Sequence, residues 1–189
     1  MRRTIITLTV MALLVVGLIG PAGAKQAWSG PDNGMSIVGT AVAVSGGIGA
    51  YDENGGDFDI LIGALVATGA VNLFDGTKYT VFAPTDQAFM DLADALELEY
   101  DGEQEALLAI AGALGGVANV TPVLAYHVTE DWRPSPSVLN AKKIKMLDGN
   151  YISGKSGALV ANSSTSGFVA TDIKTTDGGI HIIDTVLLP

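Results

Sequence analysis

Apolar positions recur with a helical period through the first half of the chain and with a strand period through the second. Ile37, Val38, Ala41 and Val42 fall on one face of a short helix that Gly39 weakens, and a Gly-rich acidic loop, Gly46 to Gly56, follows it. Phe58, Leu61, Ile62, Leu65 and Val66 then occupy i, i+3, i+4, i+7 and i+8. This spacing predicts the strongest helix of the chain, with Asp57 as its N-cap and Gly69 as its stop. Tyr79 to Ala83 is rich in β-formers, and Pro84 biases Ala83 toward an extended backbone, so a strand leads straight into a helix. Thr85 or Asp86 is placed to cap that helix, whose apolar face is Phe89, Leu92, Ala93 and Leu96. Leu107, Ile110, Ala111 and Leu114 repeat the spacing before Gly115-Gly116 closes the run.

The second half changes period. Ile144 to Leu147 and Tyr151 to Ser153 flank Asp148-Gly149-Asn150, while Phe168 to Thr175 and Ile180 to Leu188 flank Asp177-Gly178-Gly179. Asp-Gly supplies the positive φ that tight reversals need, which predicts two hairpins. In the last strand Ile180, Ile182, Val186 and Leu188 share one parity and Ile183 and Leu187 take the other, so it is expected to be central and buried on both faces. Helices clustered ahead of hairpins make the expected class α+β, with a mixed or antiparallel sheet.

The N-terminus changes the picture of composition. Arg2 and Arg3 precede an apolar run from Ile5 to Ile19, broken by Gly20-Pro21 and followed by Ala22-Gly23-Ala24, the pattern of a secretory signal cleaved after Ala24. The expected organisation is a signal peptide over 1–24, a flexible leader over 25–34 rich in turn residues, and one domain over 35–189. Removal of 1–24 takes two of the 10 Lys+Arg and none of the 20 Asp+Glu, so the charge moves from -10 to 8 - 20 = -12. So acidic a chain makes nucleic acid and anionic bilayers poor partners, and no later segment reads as a membrane span. With no Cys, disulfides, thiolate catalysis and Cys-zinc sites are excluded.

Candidate chemistry is sparse. His127 and His181 are the two imidazoles, and no Gly-x-Ser-x-Gly elbow accompanies them, so the chain is not expected to be an enzyme. His181 sits between Ile180 and Ile182, where a hydrogen-bonded structural role is expected. The loop Asp52-Glu53-Asn54-Gly55-Gly56-Asp57 offers oxygen ligands, but an EF-hand frame from Asp52 finds Asp57 and Gly63 where Gly and Glu are required. No metal motif or cofactor is expected, solvated carboxylates being the expected reading and a weak, nonspecific cation site the alternative. Asp184 shares the parity of Ile182 and Val186, and a carboxylate there must be hydrogen-bonded, protonated or turned outward by a bulge.

Three ordered blocks resemble the fasciclin-like FAS1 domain. Thr80 to Leu92, TVFAPTDQAFMDL, is similar to its first signature; Leu124 to Val128 matches its Tyr-His segment; Asp172-Ile173 through Gly178, His181 and Asp184 to Pro189 resembles its closing signature. The resemblance implies a FAS1-like fold in which Thr80, Phe82, Pro84, Thr85, Asp86, Phe89, Gly178, His181 and Asp184 are structural signature positions, with Phe82 and Phe89 as core anchors. In animal members the Tyr-His segment and an Asp-Ile pair are implicated in binding integrins, which makes Tyr126, His127, Asp172 and Ile173 the candidate partner-binding residues. For His127 the structural alternative stays open. The resemblance implies an exported adhesion module contacting extracellular protein or polysaccharide. Because some acidic, exported members carry carotenoids, binding of a hydrophobic small molecule is the alternative.

Overall fold

The computed structural model describes residues 33–74 and 77–189. The expected signal peptide and nearly all of the expected leader lie outside the described residues. Within its last two positions, the Asn33 N–H donates to Lys174 O at 3.2 Å and the Asn33 side-chain amide to Thr40 Oγ1 at 2.8 Å.

Five helices and two short 3-10 turns, at Ala70–Leu73 and Val117–Asn119, dominate the first two thirds of the chain: α1 (Ile37–Val44), α2 (Asp59–Thr68), α3 (Asp86–Ala95), α4 (Glu103–Ala113) and α5 (Val120–Ala125). Strand β1 (Tyr79–Pro84) is set among them. Strand β2 (Val128–Glu130), helix α6 (Ser135–Leu139) and strands β3 (Ile144–Lys145), β4 (Tyr151–Lys155), β5 (Ala158–Val160), β6 (Thr165–Ser166), β7 (Phe168–Thr175) and β8 (Gly178–Ile183) follow. Two four-stranded sheets result, ordered β2-β1-β8-β7 and β3-β4-β5-β6. The second is wholly antiparallel, whereas the first is mixed, since β1 and β8 run parallel and β2 and β7 pair antiparallel to them. The molecule is therefore the α+β class read from the periodicity.

Two cores flank the first sheet. Val81 and Ala83 of β1 and Ile180 of β8 pack with Ile60, Leu61, Phe89, Ile110 and Leu124 of the helices. Phe82 and Ile183, at odd spacings from Val81 and Ile180 on the same strands, pack instead with Tyr126, Val138, Ile144, Ile152 and Leu159 on the side of the second sheet. Alternation along each strand sends side chains to opposite faces, and here both faces are covered. That is why β8 carries a nearly continuous apolar run and sits in the interior of its sheet, as expected.

Two details depart from the sequence reading. Asp57 does not cap α2: Phe58 occupies the cap position without a side-chain acceptor, and the Asp86 carboxylate takes the N–H groups of Asp59 and Ile60, each at 2.8 Å. A side chain from the next helix caps α2 because the N-termini of α2 and α3 meet. Thr85, not Asp86, caps α3 through Ala88 N. In addition β8 stops at Ile183, so the strand parity does not carry to Asp184, which is exposed.

Candidate functional site

The residues expected to contact a partner are mostly inside. Tyr126 is fully buried; its hydroxyl donates to Tyr151 O at 3.0 Å and accepts from Asn162 N–H at 3.3 Å. His127, buried beside it in the chain, has Nδ1 2.7 Å from Val123 O, while Nε2 accepts from Leu187 N–H at 2.9 Å. Those partners assign the ring a neutral form with its proton on Nδ1. Burial pushes its pKa down to about 4, against the smaller upward pulls of the Val123 carbonyl and Asp148. His127 ties helix α5 to the C-terminal segment.

The Asp172-Ile173 pair belongs to another region: Asp172 bonds to Ser135 and His181, whereas Tyr126 and His127 bond to Tyr151, Asn162, Val123 and Leu187. Asp172 is buried at φ 63, inside the irregular stretch where β7 slips register against β8. Its carboxylate accepts from Ser135 N–H at 2.7 Å and from Ser135 Oγ at 2.5 Å, holding the start of α6. Its own N–H donates to Nδ1 of His181, whose Nε2 lies 2.8 Å from Arg133 O. His181 is sandwiched between Trp132 and Phe82 at ring separations of 5.4 and 5.6 Å, with Phe168 edge-on at 5.8 Å. Ser135, Asp172 and His181 are thus neighbours without the connectivity of a nucleophilic triad, because no hydroxyl reaches either ring nitrogen. Burial lowers the His181 pKa as well. Of the four expected contact residues only Ile173 is partly exposed.

The remaining signature positions each hold a joint. Thr80 Oγ1 donates to Asp131 O and accepts from Arg133 N–H, both at 2.7 Å, fixing the segment that carries Trp132. Phe82 and Phe89 are buried, one in each core. Pro84 pairs with Ile183 at the end of β1, and Thr85 N–H continues the contact to Ile183 O at 3.2 Å. Gly178, at φ 141, passes so close to the Tyr79 backbone that a Cβ has no room. Asp184 turns outward, and its Oδ1 accepts from Gly167 N–H at 2.8 Å, Thr185 Oγ1 at 2.9 Å and Ser166 Oγ at 3.1 Å.

Two further features gather polar groups, a cleft not singled out by sequence reasoning and a carboxylate group that joins Asp52 and Asp57 of the acidic loop to Asp59, Asp86 and Glu103. An open cleft of about 380 Å³ on the second sheet is lined by Lys142, Lys143, Asn150, Tyr151, Ser153 and Asn162, among others. Tyr151 is exposed, and the Lys143 ammonium lies 4.8 Å from the centre of its ring. Tyr126 braces this cleft from beneath, since both partners of its hydroxyl, Tyr151 and Asn162, line it. The signal was present in the sequence: Lys142, Lys143, Lys145 and Lys155 are four of the eight basic residues after position 24. The second feature is a buried group of carboxylates at the N-termini of α2, α3 and α4, where burial first, and then the neighbouring Asp57 carboxyl, push Asp86 up to about 8. Burial also raises Asp59 and Glu103. The enclosed apolar cavity between helices and sheet, by contrast, holds only about 30 Å³. No single helix among the described residues is long and apolar enough to cross a membrane.

The signature residues thus lie at the joints of a two-sheet α+β domain. The Fasciclin domain family model matches residues 56–189, and the chain belongs to that family. It is 30% identical over 133 residues to the transforming growth factor-beta-induced protein ig-h3 of Sus scrofa, covering 70% of this chain and 18% of that protein. It is 28% identical over 193 residues to the cell surface glycolipoprotein MPB83 of Mycobacterium bovis, covering 97% and 78% of the two chains. The fold resembles a FAS1 domain pair from the insect cell adhesion molecule Fasciclin I, with a TM-score of 0.55 and 12% identity over 82% of this chain and 51% of that one.

Proposed function

We propose that the chain is an exported, non-enzymatic adhesion module that holds an extracellular anionic polysaccharide in the cleft of its second sheet, with extracellular protein as the other partner class. Residues 1–24 serve as the export signal in this reading. The observation that carries it is the concentration of basic and hydrogen-bonding groups around an exposed tyrosine in an otherwise acidic protein. Lys142 and Lys143 attract the anionic groups, Asn150, Ser153 and Asn162 offer hydrogen bonds, and the Tyr151 face supplies a stacking surface. Tyr126 contributes as a support under the cleft. Names of relatives such as cell surface glycolipoprotein MPB83 agree with a location outside the cytoplasm. The alternative ligand, a carotenoid or other hydrophobic molecule, draws no support from an apolar cavity of about 30 Å³, which has room for little more than a water molecule.

Affinity electrophoresis in gels containing alginate or neutral dextran tests the reading. The chain is expected to be retarded by alginate, less so at high salt, and the Lys142→Glu, Lys143→Glu double variant to lose at least tenfold in affinity. Retardation unchanged by the double substitution would remove the cleft from consideration, and purification with visible absorbance would favour the hydrophobic ligand.

A further inference from the structure

The first turns of α2, α3 and α4, together with the loop before α2, bring five carboxylates to one place. Oxygens of Asp57, Asp86 and Glu103 lie within 4.8 Å of one another, and Asp57 forms a second such group with Asp52 and Asp59. Asp57, Asp59, Asp86 and Glu103 are all buried. Hydrogen bonding accounts for only part of this chamber. Asp86 receives the N–H groups of Asp59 and Ile60, Asp57 Oδ2 the Asn54 amide at 3.0 Å, and Glu103 Oε2 the Asp52 N–H at 3.0 Å. Asp57 Oδ1, Glu103 Oε1 and both oxygens of Asp59 are left without a partner.

Helix N-termini favour nearby anions, but the N–H groups at the start of α2 are already taken by Asp86. Lys78 is the single basic residue between positions 52 and 105, and it is exposed. Asp59, with no measurable exposure and two bare oxygens, is the observation that points outside the protein, because a carboxyl buried without hydrogen bonds must either hold a proton or gain a counter-charge, and a bound cation displaces the proton. We propose that this chamber binds a divalent cation of the calcium class, with Asp57 at its centre and Asp52, Asp59, Asp86 and Glu103 around it.

The donor chemistry selects the ion. An all-oxygen set suits hard cations and disfavours copper or zinc. Calcium takes six to eight oxygen ligands in a flexible shell, which carboxylates gathered from a loop and three helices suit, whereas Mg²⁺ demands a near-ideal octahedron and keeps several of its waters. The linear EF-hand frame fails because the ligands come from a loop and three helices. The site is separate from the cleft on the second sheet and stands or falls independently of it.

Isothermal titration and thermal unfolding of the chelator-treated full chain, with CaCl₂ and MgCl₂, test the proposal. Saturable calcium binding is expected, with a midpoint higher by on the order of 5–10 °C at a hundredfold excess over Kd, and magnesium at least tenfold weaker. Asp59→Asn, which removes charge from a side chain with no hydrogen bond in the fold, is expected to weaken calcium at least tenfold, while exposed Asp101→Asn changes nothing. Absence of saturable binding and of any midpoint shift up to about 10 mM, beyond the range of extracellular calcium modules, overturns the proposal. Equal loss in Asp101→Asn would reduce it to diffuse charge attraction, and equal affinity for magnesium would overturn the calcium assignment. Should Asp59→Asn not fold, the wild-type titrations with the two ions decide alone.

Discussion

Acidification removes a contribution that His127 makes to folding, and its size follows from the ring's surroundings. Inside the protein the imidazole is neutral, with Val123 O on one nitrogen and Leu187 N–H on the other, and its pKa falls from 6.5 to about 4, chiefly through burial. The unfolded chain therefore takes up the proton first as pH falls. The contribution is complete above pH 6.5 and is lost as pH drops through the folded value near 4. A separation of that size corresponds to about 3 kcal/mol in total, of which about 2 kcal/mol disappears between pH 7 and pH 5. His127→Gln supplies the reference, because glutamine does not titrate; it leaves at least one of the two backbone partners unmatched and costs about 1–3 kcal/mol at pH 7. Urea unfolding of both proteins at constant ionic strength from pH 7 to pH 4 measures the difference, and the carboxylates of the acidic chamber cancel between them. The stability advantage of the wild type is expected to shrink by about 2 kcal/mol by pH 5. Parallel pH curves for the two proteins would refute the placement of a neutral His127 in a dry, hydrogen-bonded joint.

Phe89 is buried against the helical core and Phe82 lies on the opposite side of the first sheet, so Phe89→Ala and Phe82→Ala each cost about 3–5 kcal/mol. Denaturant midpoints check this, and an unchanged midpoint for either would contradict its burial. Tyr126→Phe removes the hydroxyl that bridges Tyr151 O and Asn162 N–H, and a loss of about 1–2 kcal/mol is expected together with weaker retardation by alginate. Stability loss with full retention of polysaccharide binding would confine Tyr126 to a packing role.

Much of the architecture is written in local pattern. The spacing of Phe58, Leu61, Ile62 and Leu65 specifies α2, Gly69 at φ 69 stops it, and the double apolar parity of Ile180 to Ile183 marks β8 as a strand covered on both faces. Those features need only neighbours a few residues away, which is why periodicity finds them. The Asp184 parity failed for the opposite reason: alternation holds only while the strand lasts, and β8 ends at Ile183. The cap of α2 failed likewise, because its acceptor, Asp86, is 27 residues from Asp59 in sequence and arrives with another helix.

The site divides in the same way. That Tyr126, His127, Asp172 and His181 matter was legible from the resemblance, but not that most of them face inward as joints. Burial and hydrogen-bond partners depend on which strands and helices become neighbours. The lysines from 142 to 155 were visible as a cluster, yet only the pairing of β4 with β5 sets Tyr151 and Asn162 beside Lys142 and Lys143 as one cleft. The sequence by itself determined an acidic, Cys-free α+β chain with its signature blocks in order, since composition and short-range period need no contact between distant residues. Tertiary structure alone decided where the charge gathers: three helix N-termini converge to bury carboxylates as far apart in sequence as Asp57 and Glu103, and that convergence is a product of packing.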